Sequence, residues 1–249
     1  MGFYKDDASL QAAALVPARP IRTLPAAGTT LGSVARSYNA IGGLADRLGA
    51  VTGIETLAAL AVWMVESGGR SFTPGKPVLR FENHIFWDRW GSANAKTFDA
   101  HFVFGGHGAA GKRWEGHKWR EKTTGPWASF HGVQAKEYDA YHFARTLSGV
   151  ELAAQSASWG GTQVMGFNHG LIGYASAFDM VNAFARDLRW QVLGFFDFCR
   201  SAGLVAAIKA HDWVKFGDGY NGAGNGGVYG PKLKAIYDLK KQFDALPRS

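Results

Sequence analysis

From Ile54 to Val65 the chain offers almost nothing for solvent to touch: Ile54, Leu57, Ala58, Ala59, Leu60, Ala61, Val62, Trp63, Met64 and Val65 are all apolar. A helix apolar on every side has no solvent face, so a fold containing it must surround it. Glu66-Ser67-Gly68-Gly69 follow directly. Paired glycines just past an apolar run mark a helix C-terminus, because glycine takes the left-handed conformation that ends a helix. Glu66 therefore falls in the last turn of a buried rod. The negative end of the helix dipole opposes its charge, and apolar surroundings oppose it again. Both effects predict a raised pKa and a protonated carboxyl near neutral pH. A carboxyl held in that state is what a glycosidase uses as general acid. This stretch alone serves equally well for an exposed glutamate that happens to end a helix.

The rest of the composition fits a mainly helical fold. The 249 residues leave room for one large domain with a small appendage. Alanine and glycine are plentiful and β-branched residues thin, which favours helices joined by glycine-rich connections. Cys199 is the only cysteine, so no intramolecular disulfide can form. Residues 1–20 show no basic stretch followed by an apolar run, so no signal peptide is expected, and no apolar run reaches membrane-spanning length. The expectation is synthesis in a reducing cytoplasm without a signal peptide, with something else providing release. The net charge of +7 attracts polyanions. No helix-turn-helix, zinc-finger or aromatic RNA-binding pattern accompanies it, so nucleic acid is not the expected partner. Among anionic lipid, teichoic acid, lipopolysaccharide and peptidoglycan the charge does not choose. A monomer is expected.

Residues 1–30, punctuated by Pro17, Pro20 and Pro25, read as a loosely packed N-terminal tail. Thr30 to Ala50 has apolar residues at helical spacing, with Gly42-Gly43 as a candidate break. After a turn at residues 71–77, Val78 to Glu82 reads as a short extended segment, followed by the aromatic-rich stretch from His84 to Trp90. Residues 91–133 alternate glycine, tryptophan and histidine with basic residues. No histidine pair there has the i, i+4 spacing beside an acid that a zinc-protease motif needs. The expectation is a basic, aromatic surface insertion, with no metal and no cofactor. Lys136–Leu147 is amphipathic and Val150–Ala154 adds a short further helical turn. Ser176–Ala202 reads as one helix opened by a capping box of Ser176 and Asp179, with Cys199 on its buried stripe as inert core. Leu204–Phe216 reads as one or two short helices with Asp212 as a cap. Gly217–Gly222 reads as a turn, and Pro231 fits the first position of a last helix running to about Ala245.

Three fragments occur in a telling order: Glu66-Ser67-Gly68-Gly69, then Ser158-Trp159-Gly160-x-x-Gln163-x-Met165-Gly166, then Tyr220-Asn221-Gly222. With Pro77-Val78-Leu79-Arg80-Phe81-Glu82-x-His84 between the first two, this resembles the lysozyme-like superfamily. More narrowly, it resembles the N-acetylmuramidase family found in bacteriophage endolysins and some bacterial antibacterial effectors. The match spans roughly Leu31 to Leu239. Two departures stand out: Gly161-Thr162 where the family usually has a bulkier apolar residue, and a longer stretch at 91–133.

The resemblance implies a mainly α, lysozyme-like helical domain over residues 31–249, with a small extended segment beside an active-site cleft. It implies cleavage of the β-1,4 bond between N-acetylmuramic acid and N-acetylglucosamine in peptidoglycan, with Glu66 as general acid. An inverting hydrolase sets a second carboxylate about 6.5–9.5 Å from the first to activate water. Glu82 is the candidate, and is equally suited to pairing with Arg80. Gln163 and Asn221 suit acetamido groups, Tyr220 a sugar face or the acid, and Ser158 a sugar or Glu66 itself. His84 and Trp159 are candidates to line the cleft. Two alternatives stay open: a lytic transglycosylase giving 1,6-anhydro products, and a non-catalytic wall-binding or tail protein on the same fold.

Overall fold

The computed structural model describes residues 2–249. The chain is mainly α-helical with three small sheets, and it divides into two compact units. The first comprises residues 2–71, 171–173 and 186–249; the second comprises 72–170 and 174–185. Among the described residues, no helix is long and apolar enough to cross a membrane.

The first unit is built around the helix Thr56–Ser67, whose residues from Leu57 to Trp63 are all buried. Gly68 ends it in the left-handed conformation at φ 65°, and its N–H returns to Met64 O, so the C-cap expectation is met. The helix Thr30–Thr52 packs along it. That helix runs unbroken through Gly42-Gly43. The glycines serve close approach instead: a Cβ at Gly43 would meet the carbonyl oxygens of Ala14 and Val16.

Residues 2–30 are not the loose tail that their prolines suggest. The N–H groups of Tyr4 and Lys5 donate to the fully buried Asp197 carboxylate at 2.7 and 3.0 Å. Leu10 and Ile21 are buried, and Arg22 N–H donates to Pro247 O. Buried apolar anchors and satisfied backbone groups hold a segment that has little periodicity of its own.

The expected single helix over 176–202 is two, Ala177–Arg186 and Leu188–Ser201. Asp187 takes an extended conformation between them and caps the second by accepting from Arg189 N–H. An aspartate side chain competes for backbone donors and can start a helix where the apolar period alone would continue one. The expected capping box is present, with Ser176 Oγ 2.8 Å from Asp179 Oδ2. Cys199 is buried, its thiol pushed up by burial alone.

Two further expectations are corrected near the C-terminus. Residues 217–221 are not a turn but the end of the helix Trp213–Asn221, which Asp212 caps. Pro231 lies inside the helix Gly226–Tyr237 rather than at its start.

The second unit carries a three-stranded antiparallel sheet in which Ala157–Trp159 is central. Leu79–Phe81 pairs with it on one side, Arg80 opposite Ser158, and Val164–Met165 on the other. The helical segment Gln134–Gln155 packs on this sheet and is broken at Gly149, φ 82°. Residues 91–133 are not merely a surface insertion: Phe98, Phe102 and Phe130 are wholly buried and cluster with Phe81 and Phe86. Phe98 and Phe102 stand four apart and Phe102 and Phe104 two apart, but each run is too short for its period to mark a buried face.

Candidate active site

Glu66 is half-buried in the last turn of its helix. Two later helices of the same unit reach it. Tyr229 Oη donates to Glu66 Oε1 at 2.6 Å, and Asn221 Nδ2 lies 3.4 Å from the same oxygen. Local chemistry explains why both arrive. Asp218 Oδ1 accepts from Gly224 and Gly226 N–H, folding the turn that sends the chain from the Asn221 helix into the Tyr229 helix. Gly217 lets the two helices touch, since a Cβ there would stand 2.9 Å from Gly226 Cα.

The Tyr229 phenol is 8% exposed. Its pKa is raised well above the ordinary value by burial first and by the Glu66 charge next. It stays protonated and so remains a donor. Tyr220 stacks on Tyr229, ring centroids 6.2 Å apart and planes 8° apart, with Phe216 on the Tyr220 ring. An aromatic column thus supports the donor. Nothing in the sequence singled out Tyr229. The reading of Pro231 as a helix start left Gly226–Gly230 in a loop, and a period reckoned through that proline would have put Tyr229 on the buried face.

The second unit gathers other candidates into two groups. Ser158 Oγ donates to Gln163 Oε1 at 2.8 Å, and Gln163 Nε2 donates to Gly160 O at 2.7 Å. Gln163 adopts φ 51°, so both side chains brace the turn between two strands. Trp159 is 1% exposed, with its indole N–H on Ala154 O and its ring against Tyr141. It is a core residue of the sheet and does not line an open surface.

Glu82 and His84 form the second group. Glu82 Oε1 accepts from Arg80 Nε at 2.6 Å. Its Oε2 faces His117 Nδ1 at 3.4 Å, His84 Nδ1 at 3.5 Å and His131 Nε2 at 4.0 Å. Burial raises the Glu82 carboxyl, against the lowering effect of Arg80. Burial lowers His84 to about 4 and His117 to about 3. The sequence offered Glu82 and His84 but not His117 or His131 as partners.

The arrangement around Glu66 is a carboxyl with one oxygen held by neutral donors, at the end of an apolar helix. Such a group can give a proton to an oxygen leaving group without a metal or cofactor. A search of curated proteins found no match. Among solved structures, the chain is similar to the Burkholderia AP3 phage endolysin, 27% identical with a TM-score of 0.60, over 81% of this chain and 70% of that one. The shared fold is lysozyme-like. The family model for N-acetylmuramidases matches residues 55–241, from just before the Glu66 helix to beyond Tyr229. On that match the chain belongs to the N-acetylmuramidase family of peptidoglycan hydrolases.

Proposed function

We propose that this chain cleaves the β-1,4 bond between N-acetylmuramic acid and N-acetylglucosamine, with Glu66 as general acid. Tyr229 and Asn221 hold Glu66 Oε1, which fixes the carboxyl in place to deliver its proton. As the bond from C1 to the leaving oxygen breaks, Glu66 protonates that oxygen and C1 gains oxocarbenium character. Proton transfer of this kind contributes roughly a hundred- to ten-thousand-fold; positioning and distortion of the sugar supply the rest. Water then adds at C1 and leaves a reducing end. The observation that carries this reading is the 2.6 Å bond from a buried, neutral phenol to the helix-terminal carboxylate. The reaction takes place at the bacterial wall, reached from the cytoplasm of the producing cell by release or delivery. The +7 net charge favours the approach to an anionic envelope.

A second reading has one observation in its favour. Glu82, the candidate base, has one oxygen paired with Arg80 and the other turned toward three histidines. With that carboxylate engaged, attack by the muramic acid's own 6-hydroxyl would give a 1,6-anhydro end. The test is mass spectrometry of muropeptides released from purified sacculi. The hydrolase reading expects products one water heavier than anhydro ends, and a Glu66→Gln variant that releases nothing. Anhydro products would replace the hydrolase by the transglycosylase, and lysis by the Gln variant would remove Glu66 from the reaction.

A further inference from the structure

Glu82, His117 and His131 bring one ligand-type atom each to within 4.8 Å of one another. They arrive from separate stretches of the second unit. His117 Nε2 lies 2.9 Å from Arg113 O, and a carbonyl only accepts, so that nitrogen donates and Nδ1 is the one turned inward. His131 Nδ1 lies 3.0 Å from Glu137 Oε1, whose other oxygen accepts from Phe81 N–H, so this ring is held through Nδ1 and turns Nε2 inward. The two inward nitrogens face each other at 2.9 Å. Beside them Glu82 Oε2, buried, accepts no hydrogen bond from any described residue. Three ligand-type atoms converge on one point.

We propose that Glu82, His117 and His131 bind a divalent first-row metal ion, Zn2+ matching the donor set best. A tetrahedral zinc with bonds of about 2.0–2.1 Å spaces its ligand atoms about 3.3 Å apart. The three edges here, 2.9, 3.4 and 4.0 Å, straddle that value. His84 Nδ1, also buried and without a hydrogen-bond partner, lies 3.5 Å from the same carboxylate oxygen but stands outside the group of three, so water would complete the coordination. The surroundings are those of a metal site. One histidine is oriented by a backbone carbonyl and the other by a carboxylate, the pattern that fixes tautomer and ring angle for ligation. A shared proton could relieve only the contact between the two nitrogens; an ion relieves the carboxylate too. The ion would fasten the strand that ends at Phe81 to the loops before Lys118 and after Phe130, as a structural clamp with no part in bond cleavage.

The full chain, incubated with Zn2+ and desalted, is expected to retain about one zinc, with X-ray absorption showing nitrogen and oxygen ligands at about 2.0–2.1 Å. Added Zn2+ should raise the Tm of metal-stripped protein. Glu82→Gln, which keeps the shape, and His117→Ala should each weaken binding by roughly 10- to 100-fold or more. His211→Ala, altering a histidine of the first unit beside Glu55, should leave binding unchanged. A wild-type chain that emerges free of metal, with a Tm indifferent to Zn2+, overturns the proposal without needing any variant. So does binding that survives both substitutions undiminished. Neither result bears on Glu66.

Discussion

Tyr229 and Glu66 stand 163 positions apart in the chain, yet the phenol of the first donates a 2.6 Å hydrogen bond to the carboxylate of the second. Asn221 joins it at 3.4 Å. Removing the phenol tests what this contact does. A hydrogen bond to a charged group contributes about 1.5–3 kcal/mol, equivalent to roughly 10- to 150-fold in rate. Tyr229→Phe is therefore expected to lower kcat on purified sacculi by that order, with KM little changed. A fall in KM-type binding with kcat intact would assign Tyr229 to substrate instead.

Glu66→Gln keeps the side chain's volume and removes its proton. Lysis should fall by at least roughly a hundredfold, the lower bound for loss of a general acid. Because Glu66 is only half-buried at a helix end, the thermal transition should stay within a few degrees of wild type, and sacculus pull-down should persist. Turbidity clearing and calorimetry on the same preparation check both parts.

Glu151 links stability to pH. Its carboxylate accepts from the N–H groups of Ala177 and Phe178 and so caps the helix Ala177–Arg186 from a distant position. Burial opposes its charge, but the hydrogen bonds from Gln155, Ala177 and Phe178 outweigh burial and hold the folded pKa below 4.5. A lowered folded value means the contribution is complete above the unfolded pKa and disappears as pH falls through the folded one. The group is partly exposed, so the effect is at the modest end for a cap, about 1 kcal/mol. At pH 7, Glu151→Gln should lower the Tm by about 2–4 °C. The two melting curves should converge on acidification below the normal glutamate range.

Two glycines should respond in opposite directions to alanine. At Gly43 a Cβ would press on backbone, with Ala14 O at 2.6 Å and Val16 O closer. Overpacking against atoms that cannot rotate away costs about 1–3 kcal/mol, more than the roughly 0.5–1 kcal/mol that alanine gains in a helix. Gly227, in the helix Gly226–Tyr237, would meet nothing within 4 Å. Gly43→Ala should therefore lower the Tm and Gly227→Ala raise it. Equal shifts in the two would show that the lead-in does not lie against the Thr30–Thr52 helix.

What could be read from the chain beforehand was what local chemistry decides. The Thr56–Ser67 helix and its Gly68 cap follow from composition and a glycine. So do the capping roles of Asp212 and of Ser176 with Asp179. Tyr229 was out of reach because its value lies in a contact across 163 residues. Asp187 was missed because apolar periodicity runs through it while its side chain claims a backbone donor. The histidines at 117 and 131 were judged by spacing along the sequence, whereas the loops that carry them fold both onto Glu82. Ser158 and Gln163 stood out as a motif, and the structure ties them to each other and to their own turn.

The first unit is assembled from residues on both sides of the second. A ribosome adding about 5–20 residues per second would leave Glu66 waiting on the order of ten to thirty seconds for Tyr229. During that interval the nascent chain holds Glu66 without the phenol that steadies it. A translation product stopped before the helix Trp213–Asn221 would carry the Glu66 helix while lacking both side chains that hold its carboxyl.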